Sequence, residues 1–474
     1  MQTQNLTSAQ LRLLALSALI LLGFTGLVFE YHSLIQESII TNFGNPVSLW
    51  QPPTESTSPA ASNLEFWSQF APVLAAGDPK CPEPELVGKA AAKLRTGEDI
   101  VDVGNYVEME KADVELMRKL HAWVIDQIQH RDLALPYKES THGIVTSAGA
   151  SYFPPLIVSL RFLRRTGSEI PVEVFLATPD EFERLICNVI LPSLNAKCII
   201  LSDIIDEFDL PFSFSKYQLK VFAILFSSFE SVLFLDADNF PVESPDSLFV
   251  EEPFLSHHMV LWPDYWAPTV SPLYSTISGL EETLLAGRTT VEAGQILISK
   301  KYHTTTLLLA AYYNCYGTYF YHLMSQGGPG EGDKETFADA ALVLGAPFYD
   351  VKQRPRPLGI SGDGAAVLQA HPTDDWNRTR DHSIARPLFI HASWPPKLNA
   401  LHNFQTRRQW GTAANSKRLF GVDIEPIAWG FMIEMACDQK IQFREWGNKS
   451  EHGICERTKR SYLDMFKKEY GSSS

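Results

Sequence analysis

The sequence predicts an α/β protein with a mostly parallel central sheet, and three observations lead to this expectation. From residue 141 onward, short apolar runs alternate with helical patterns, as in sheets that helices cover on both faces. The 474 residues are enough for one large or two fused domains. The 28 Phe, 16 Tyr and 10 Trp residues supply bulky side chains for a sizeable core.

Four strands and three helices are predicted between residues 142 and 235. The strands cover His142–Thr146, Val172–Ala177, Cys198–Leu201 and Val232–Leu235, and the helices cover Phe153–Arg164, Pro179–Ile190 and Lys216–Phe229. Ligands of parallel sheets bind beyond the carboxyl ends of the strands. The residues that follow Leu235 are therefore the first place to look for a functional site.

The N-terminal region is predicted to anchor the chain in a membrane. Residues 11–29 form an almost unbroken apolar run, which is long enough to cross the hydrocarbon core as a helix. A cleaved signal peptide is the alternative, but no small-x-small cleavage site follows the run. Arg12 favours a cytosolic N-terminus, which would place the body of the protein in a lumen.

Changes in composition divide the chain into six predicted segments. The first three are a cytosolic tail over residues 1–10, a transmembrane signal anchor over 11–29 and a stem or linker over 30–85. The others are a helical N-terminal extension over 86–140, the main α/β domain over 141–410 and a C-terminal extension over 411–474.

The net charge and the cysteines indicate which binding partners and which cellular compartment are compatible with the sequence. The net charge of −15 disfavours nucleic acid because an acidic surface repels its phosphates. All six cysteines follow the apolar run, and some should pair in an oxidising lumen. The nearest pairs are Cys187 with Cys198 and Cys437 with Cys455, although sequence does not choose among the connectivities. Sequons at residues 377–379 and 448–450 also fit a lumenal body.

The first candidate site is Asp236-Ala237-Asp238, directly after the apolar strand Val232–Leu235. If the backbone stays extended, both carboxylates point to the same side. Converging carboxylates suit a hard divalent cation such as Mn²⁺, which can hold a diphosphate. Lys216 and Lys220, on the preceding helix, would add positive charge. The alternatives are aspartates that cap a turn, or the nucleophile of a haloacid-type phosphohydrolase.

The wider sequence resembles the fungal Golgi α-1,2/α-1,3-mannosyltransferases that build branches on cell-wall mannan. The segment FSSFESVLFLDADNFPVESPDSLF carries the resemblance, and Trp262–Trp266, Val291–Ile298 and Gly332–Phe337 follow in the family's order. The resemblance spans roughly residues 140–400 and implies a single catalytic domain of the GT-A nucleotide-sugar fold. It also implies GDP-mannose as donor, a mannosylated glycan as acceptor, a single-pass type II topology in the Golgi membrane and a place in Golgi enzyme complexes.

The same resemblance assigns roles to individual residues. Asp236 and Asp238 would serve the metal and the nucleotide, with Asp238 the more direct ligand, and His391 would be the third metal ligand. Lys397 would reach the diphosphate, and Thr146 would lie beside the nucleoside. A histidine that is simply satisfied in the core is the alternative for His391.

Further residues are candidates for the sugar side. Glu292 and Gln295 lie on or beside a predicted strand and would contact the donor mannose. Trp262, Tyr265 and Trp266 have flat apolar faces that could stack on a sugar, or that could simply pack in the core. Asp264, in the same segment, is a further candidate for contact with the substrate. The glycine-rich segment Gln326–Asp333 is predicted to be a loop that closes over a substrate, although Asp333 could instead cap the next helix.

Transfer from an α-linked donor to an α-linked product requires retention of configuration. Retention needs either a nucleophile on the opposite face or same-face attack assisted by the leaving phosphate. We expect the same-face route because no carboxylate stands out as a nucleophile; Asp333, Glu335 and Glu292 are the candidates for a direct catalytic role. A glycosyltransferase that uses a UDP-sugar, or an inactive sugar-binding homologue, remains an open alternative.

Overall fold

The computed structural model describes residues 62–95, 101–205, 217–360, 363–378, 384–393 and 397–467. The predicted cytosolic tail, the predicted anchor, most of the stem and Lys216 lie outside these residues. Within them, no helix combines the length and the apolar character that a membrane span requires. The described chain is an α/β protein, as the sequence predicts.

Strands of the described residues form three sheets. They are β1 (Glu85–Leu86), β2 (Val107–Glu108), β3 (Lys138–Ser147), β4 (Val172–Leu176), β5 (Ala196–Ile200), β6 (Phe229–Leu235), β7 (Asn239–Pro241), β8 (Met259–Pro263), β9 (Val291–Ser299), β10 (Tyr349–Asp350), β11 (Arg356–Ile360), β12 (Asp363–Ala370) and β13 (Pro387–His391). The central sheet has the order β10-β8-β9-β6-β3-β4-β5, a second sheet has the order β11-β12-β13-β7, and β1 pairs with β2.

The central sheet is mixed, because β9 runs antiparallel to both of its neighbours, β6 and β8. All other neighbouring pairs of this sheet are parallel. After β8 the chain forms the helices Pro272–Ser278 and Glu282–Ala286 without crossing to the opposite edge, so β9 has to start where β8 ends. The amino end of β9 therefore lies at the same edge as the carboxyl ends of β6 and β8.

Helices cover the two faces of the central sheet and form much of the first and last described segments. Those of four residues or more are Asn63–Ala76, Lys111–His130, Phe153–Arg165, Ser202–Ile205, Gln218–Phe226, Phe254–His257, Pro272–Ser278, Glu282–Ala286, Thr304–Cys315, Gly317–Ser325, Thr336–Leu344, Pro372–Asn377, Ala413–Phe420, Ile424–Cys437 and Ile454–Tyr462. The helix predicted over Pro179–Ile190 is divided: a 3-10 turn covers Pro179–Glu181, and a separate helical segment over residues 184–193 contains the π-helical turn Ile186–Ile190. Glu181 accepts a hydrogen bond from the backbone of Ala177, which ties the first turn back to β4.

The predicted stem ends too late, because residues from 62 onward belong to the folded domain. Helix Asn63–Ala76 buries Phe66, Trp67 and Phe70 against the core. The hydroxyls of three tyrosines, at positions 312, 316 and 319, donate hydrogen bonds to the carbonyls of residues 77, 74 and 81 at 3.0, 2.7 and 2.6 Å. The helix is short, so its apolar residues repeat only a few times in the sequence. The polar residues that precede it made the whole segment look like a linker.

The predicted helical extension over 86–140 is only partly helical. Its helix is confined to Lys111–His130, which packs on Thr304–Cys315 and Pro272–Ser278. Before it, β1 and β2 form a small antiparallel sheet. The predicted C-terminal extension is integral as well, because Trp429, Met432 and Trp446 are buried in the same hydrophobic cluster as β4.

Both nearest cysteine pairs form disulfides. Cys187 is bonded to Cys198, and Cys437 is bonded to Cys455. The first disulfide links the π-helical turn to β5, and the second joins two helices of the C-terminal extension. Cys81 and Cys315 are free thiols.

Candidate active site

The carboxylates of Asp236 and Asp238 meet at the carboxyl end of β6. The backbone there is a turn rather than the extended strand that the sequence suggested, because the Asn239 amide donates to the Asp236 carbonyl at 2.9 Å. The Asp236 amide donates to the Gly294 carbonyl of β9, also at 2.9 Å. The Asp238 carbonyl accepts from the Ala392 amide at 2.9 Å, which fixes the turn against the end of β13.

His391, the last residue of β13, completes the set of metal-ligand types. Its Nε2 lies 3.2 Å from Asp238 Oδ1 and 3.8 Å from Asp236 Oδ2. One side-chain ligand atom from each of these three residues lies within 4.8 Å of the others. Carboxylate oxygens with one imidazole suit a divalent cation such as Mn²⁺, so the residues present fit the metal that the sequence predicts.

Glu292 orients the imidazole from its other side. The Nδ1 of His391 lies 2.9 Å from Glu292 Oε1, so Nε2 is left facing the two aspartates. Such a carboxylate–histidine pair fixes the ring and its tautomer at metal sites. Residue 294, which packs against this pair, has to be glycine, because a Cβ there would lie 2.4 Å from His391 Nδ1.

Two lysines balance the negative charge of the site. Lys220 Nζ lies 3.5 Å from Asp236 Oδ1 and 3.1 Å from Asp333 Oδ2, and Lys397 pairs with Asp238. Burial opposes ionisation of Asp238, but His391 and Lys397 lower its pKa to about 2. The pairing with His391 and Lys397 therefore keeps Asp238 in its charged form.

The C-terminal extension holds the loop that carries Lys397. The Asn399 side-chain amide donates to Glu445 Oε2 at 2.9 Å and to the Ser151 carbonyl at 3.2 Å. Its oxygen accepts from Trp446 Nε1 at 3.0 Å. Asn399 thus joins the Lys397 loop to the helix start near Ser151 and to the turn Arg444–Trp446.

Gln295 and Trp262 are not available for the substrate contacts that the sequence predicts. Gln295 is fully buried, and its amide donates to Glu292 Oε2 at 2.8 Å and accepts from Asn239 Nδ2 at 2.7 Å. It therefore positions Glu292. Trp262 is also fully buried, and its Nε1 donates to the Ala370 carbonyl at 2.9 Å. Every residue of β8 is buried, so this tryptophan is part of the core.

The two acidic residues of the Gly332–Phe337 segment lie in different surroundings. Asp333 reaches the site through Lys220, whereas Glu335 is turned away from it. Glu335 binds the guanidinium of Arg288 at 3.0 Å and accepts from the Val291 amide at 3.1 Å. In this geometry the carboxylate of Glu335 holds the start of β9, and its catalytic role stays a prediction.

Asp264, Tyr265 and Trp266, which the sequence predicts to contact the sugar, directly follow the carboxyl end of β8. Asp264 Oδ2 lies 3.4 Å from the Nζ of Lys334, a residue that our sequence reasoning did not single out although it lies within the Gly332–Phe337 motif. The buried hydroxyl of Tyr265 has no hydrogen-bond partner among the described residues. Trp266 is partly exposed. These three residues therefore stay candidates for contact with a sugar.

Thr146 lies at the opposite side of the metal-ligand group, near the carboxyl end of β3. Its hydroxyl is buried and lacks a hydrogen-bond partner within the described part of the chain. With Asp236 it lines a small cavity that is enclosed by the helix Phe153–Arg165. The predicted position of Thr146 beside a nucleoside is compatible with this location.

The buried carboxyl group of Asp339 gives a pH-dependent prediction. Burial and the nearby charge of Glu335 raise its pKa to about 8. Because the folded protein holds this proton more tightly than the unfolded chain, its contribution to stability is complete below about pH 4 and is lost as the pH rises to about 8. We expect Asp339→Asn to raise the melting temperature by a few degrees at pH 9 and little at pH 5.

Calorimetry from pH 5 to pH 9 checks this expectation. The same substitution at the exposed Asp203 is the control for the change from aspartate to asparagine itself. A difference between Asp339→Asn and wild type that stays constant with pH would contradict the assignment of this titration to Asp339.

Comparisons with known proteins find relatives over the region that contains two of the three metal-ligand residues. The family model described as "Mannosyltransferase putative" matches residues 141–288 and 284–375, which include Asp236, Asp238, Glu292 and Asp333. The α-1,2-mannosyltransferase MNN21 of Candida albicans is 31% identical over 438 residues, which cover 75% of this chain and 66% of that protein. The α-1,2-mannosyltransferase MNN2 of Saccharomyces cerevisiae is 35% identical over 321 residues, covering 58% and 53%.

The chain belongs to this mannosyltransferase family. It is accordingly a member of an enzyme family, as the sequence predicts. This family member spans about two-fifths to two-thirds of the length of the curated relatives above and of MNN24 of Candida albicans, which is 39% identical over 288 residues.

Two solved glycosyltransferase structures also resemble this family member. The galactosyltransferase LgtC, in complex with donor and acceptor sugar analogues, is 18% identical with a TM-score of 0.36, and the match covers 59% of this chain and 95% of LgtC. The bifunctional glycosyltransferase WbbM is 13% identical with a TM-score of 0.38, covering 74% and 62%. At scores this low, neither resemblance supports an inference about the chemistry of this chain.

Proposed function

We propose that this chain is a retaining α-mannosyltransferase that moves mannose from GDP-mannose to a mannoside acceptor on glycoprotein or cell-wall glycans. The observation that carries the proposal is the group formed by Asp236, Asp238 and His391 at the carboxyl end of β6. The names of the relatives favour an α-1,2 linkage for the product. A GT-A fold is part of the proposal, and the α/β architecture with its mixed sheet supports it.

The charges of the site suit a nucleoside diphosphate sugar. Asp236, Asp238 and His391 would hold Mn²⁺ or another divalent cation, which when bound offsets the negative charge of the leaving diphosphate. Lys397 lies beside Asp238 and is the more exposed of the two lysines, so its ammonium group would reach the phosphate oxygens once a cation takes over the carboxylates. Lys220 stays paired with Asp333 and adds positive charge behind Asp236. Glu292 keeps His391 in the orientation that this arrangement needs.

Same-face transfer balances without a protein nucleophile. The bond between mannose C1 and the phosphate oxygen breaks, and its electron pair leaves with GDP. A new bond forms from the acceptor oxygen to C1 on the same face, and the acceptor proton passes to the departing phosphate oxygen. The chain's own contribution is to orient both sugars and to stabilise charge on GDP.

The partners of the nearby carboxylates support this route. Asp333 is paired with Lys220, and Glu335 is paired with Arg288. Glu292 accepts hydrogen bonds from His391, Gln295 and the Gly294 amide. Each of the three carboxylates that the sequence offers as a nucleophile is thus already bound to a cation or to several donors, which lowers its reactivity toward C1.

We also propose that the protein is a single-pass type II protein of the Golgi membrane with its catalytic domain in the lumen, where it would join other glycan-processing enzymes. The apolar run at residues 11–29 would be its anchor. The disulfides Cys187–Cys198 and Cys437–Cys455 support an oxidising compartment for the folded domain.

A donor screen on the chain from residue 62 tests the proposed function. GDP-mannose and a set of UDP-sugars are offered with Mn²⁺ and α-mannoside acceptors, and the linkage of the product is read by NMR. We expect mannose transfer from GDP-mannose only, retained α configuration and complete loss of activity in EDTA. Transfer from a UDP-sugar alone, or undiminished activity in EDTA, would overturn the proposal.

A further inference from the structure

We propose that residues 85–95 and 101–108, here called the N-terminal brace, form the outer support of the acceptor site and position the two loops that bind the acceptor sugar. The inference rests on the proposed function and adds to it a specificity element that lies outside the matched family region, which begins at residue 141. Arg95 and Gln326 are its positioning residues.

The order of the strands decides on which side of the metal-ligand group an acceptor fits. Neighbouring strands lie about 4.8 Å apart, and the sheet order around the site is β8-β9-β6-β3. Thr146 on β3 lies on one side of the Asp236–Asp238 turn, whereas Glu292 on β9 and Asp264 after β8 lie on the other. If the nucleoside lies over β3 and the diphosphate over β6, the donor mannose follows in the same direction and lies over β9. The acceptor then lies next to it, over the end of β8.

Groups at the end of β8 suit sugar hydroxyls. Asp264 and Lys334 form an ion pair at 3.4 Å. Burial is the main cause that raises the pKa of Tyr265, and the nearby charges of Asp264 and Glu292 raise it further. The buried Tyr265 hydroxyl and the Gln369 side-chain oxygen each lack a hydrogen-bond partner among the described residues. Buried polar atoms of this kind are usually satisfied, so a ligand's hydroxyls are natural partners for them.

The N-terminal brace supports the first wall of this pocket, the loop that carries Tyr265. The Arg95 amide donates to the Tyr265 carbonyl at 2.9 Å, and the Ala267 amide donates to the Lys93 carbonyl at 2.8 Å. The buried guanidinium of Arg95 donates to the carbonyls of Ala286 and Gly287 at 3.1 and 3.0 Å. Arg95 therefore ties the Tyr265 loop to the segment that leads into β9.

Gln326 joins the N-terminal brace to the second wall, the glycine-rich loop. Its carbonyl accepts from the Ala90 amide at 2.9 Å, and its side-chain oxygen accepts from the Tyr106 amide at 2.7 Å. Its side-chain nitrogen donates to the Gly104 carbonyl at 3.1 Å. The loop that starts at Gln326 ends at Asp333 and Lys334, the residues that contact Lys220 and Asp264.

The test measures the KM for each substrate in variants of the two positioning residues, in the full chain. Arg95→Ala removes the guanidinium bonds, and Arg95→Lys restores part of them. Gln326→Gly removes the amide contacts without strain, because the backbone at this position has a positive φ of 46°. Arg131→Ala, at the exposed end of helix Lys111–His130, is the matched control.

We expect Arg95→Ala and Gln326→Gly to raise the KM for methyl α-mannoside by about tenfold or more, while the KM for GDP-mannose and its slow hydrolysis without acceptor change less than about twofold. Arg95→Lys should recover part of the effect, and Arg131→Ala should match wild type. The inference would be overturned if the folded variants kept the wild-type KM for the acceptor. It would also be overturned if the KM values for donor and acceptor rose together as the melting temperature fell, because that result indicates a general loss of stability.

Binding of methyl α-mannoside by saturation-transfer NMR separates this inference from the proposed function. A wild-type protein that binds the mannoside but transfers no mannose would overturn the proposed function. If the two variants then lose mannoside binding, the role of the N-terminal brace still stands; if they keep it, the inference fails as well.

Discussion

Replacing Asp238 by alanine should lower kcat for mannose transfer by about 10³-fold or more, the scale expected when stabilisation of charge in the transition state is lost. Asp238 is buried, accepts from His391 and Lys397, and supplies one of the three ligand atoms of the site. Its removal takes a negative charge away from the cation site and leaves both partners without their carboxylate. Steady-state rates with GDP-mannose and a mannoside acceptor at saturating Mn²⁺ measure the effect.

Two companion variants make the interpretation of Asp238→Ala specific. Asp238→Asn keeps the shape of the side chain and should be nearly as inactive, because the amide is a poor ligand for a hard cation. Asp203→Ala changes an exposed aspartate and should retain wild-type activity. A rate for Asp238→Ala within tenfold of that control would exclude a metal-dependent role for this residue.

Removal of residues 62–85 should abolish folding of the domain. Helix Asn63–Ala76 buries Phe66, Trp67 and Phe70, and full burial of each such side chain contributes about 1.5–3 kcal/mol. Together with the three tyrosine hydrogen bonds to residues 74–81, the loss approaches the whole net stability of a typical domain, about 5–15 kcal/mol. We expect a chain from residue 86 to be insoluble or to show no cooperative thermal unfolding.

A chain from residue 62 is the matched control and should unfold cooperatively. Trp67→Ala in that chain should cost about 3–5 kcal/mol, measured by denaturant unfolding, because the indole is fully buried and packs on Phe222 and Phe226. Equal melting temperatures for the chains from 62 and from 86 would show that the helix is dispensable.

Periodicity and local chemistry were sufficient to predict the centre of the fold. The strands β3 to β6 were predicted because short apolar runs that alternate with helices are typical of a sheet with helices on both faces. The carboxylates after β6 follow from the same pattern, since a strand end is where ligands bind. The imidazole of His391 was associated with them only through resemblance, because 153 residues separate it from Asp238 and no local spacing joins the two.

The features that the sequence did not reveal depend on tertiary contacts. The direction of β9 is set by the path of the chain after β8, and its apolar residues would fit either direction equally well. From the sequence, Trp262 looks the same as a tryptophan that stacks on a sugar, and only its place in β8, a strand whose residues are all buried, assigns it to the core. Helix Asn63–Ala76 looks like a continuation of a polar linker until its partners on Thr304–Cys315 are seen.

The link from Asn399 to Trp446 has a consequence for how the enzyme is made. Asp238 is synthesised 159 residues before its partner Lys397. Trp446, the partner of Asn399, follows Asn399 by another 47 residues. The sheet that carries the aspartates is therefore synthesised well before the parts that complete the site. The site is therefore complete only after Trp446 has been synthesised, and a chain that stops before Lys397 carries the aspartates without the residues that surround them.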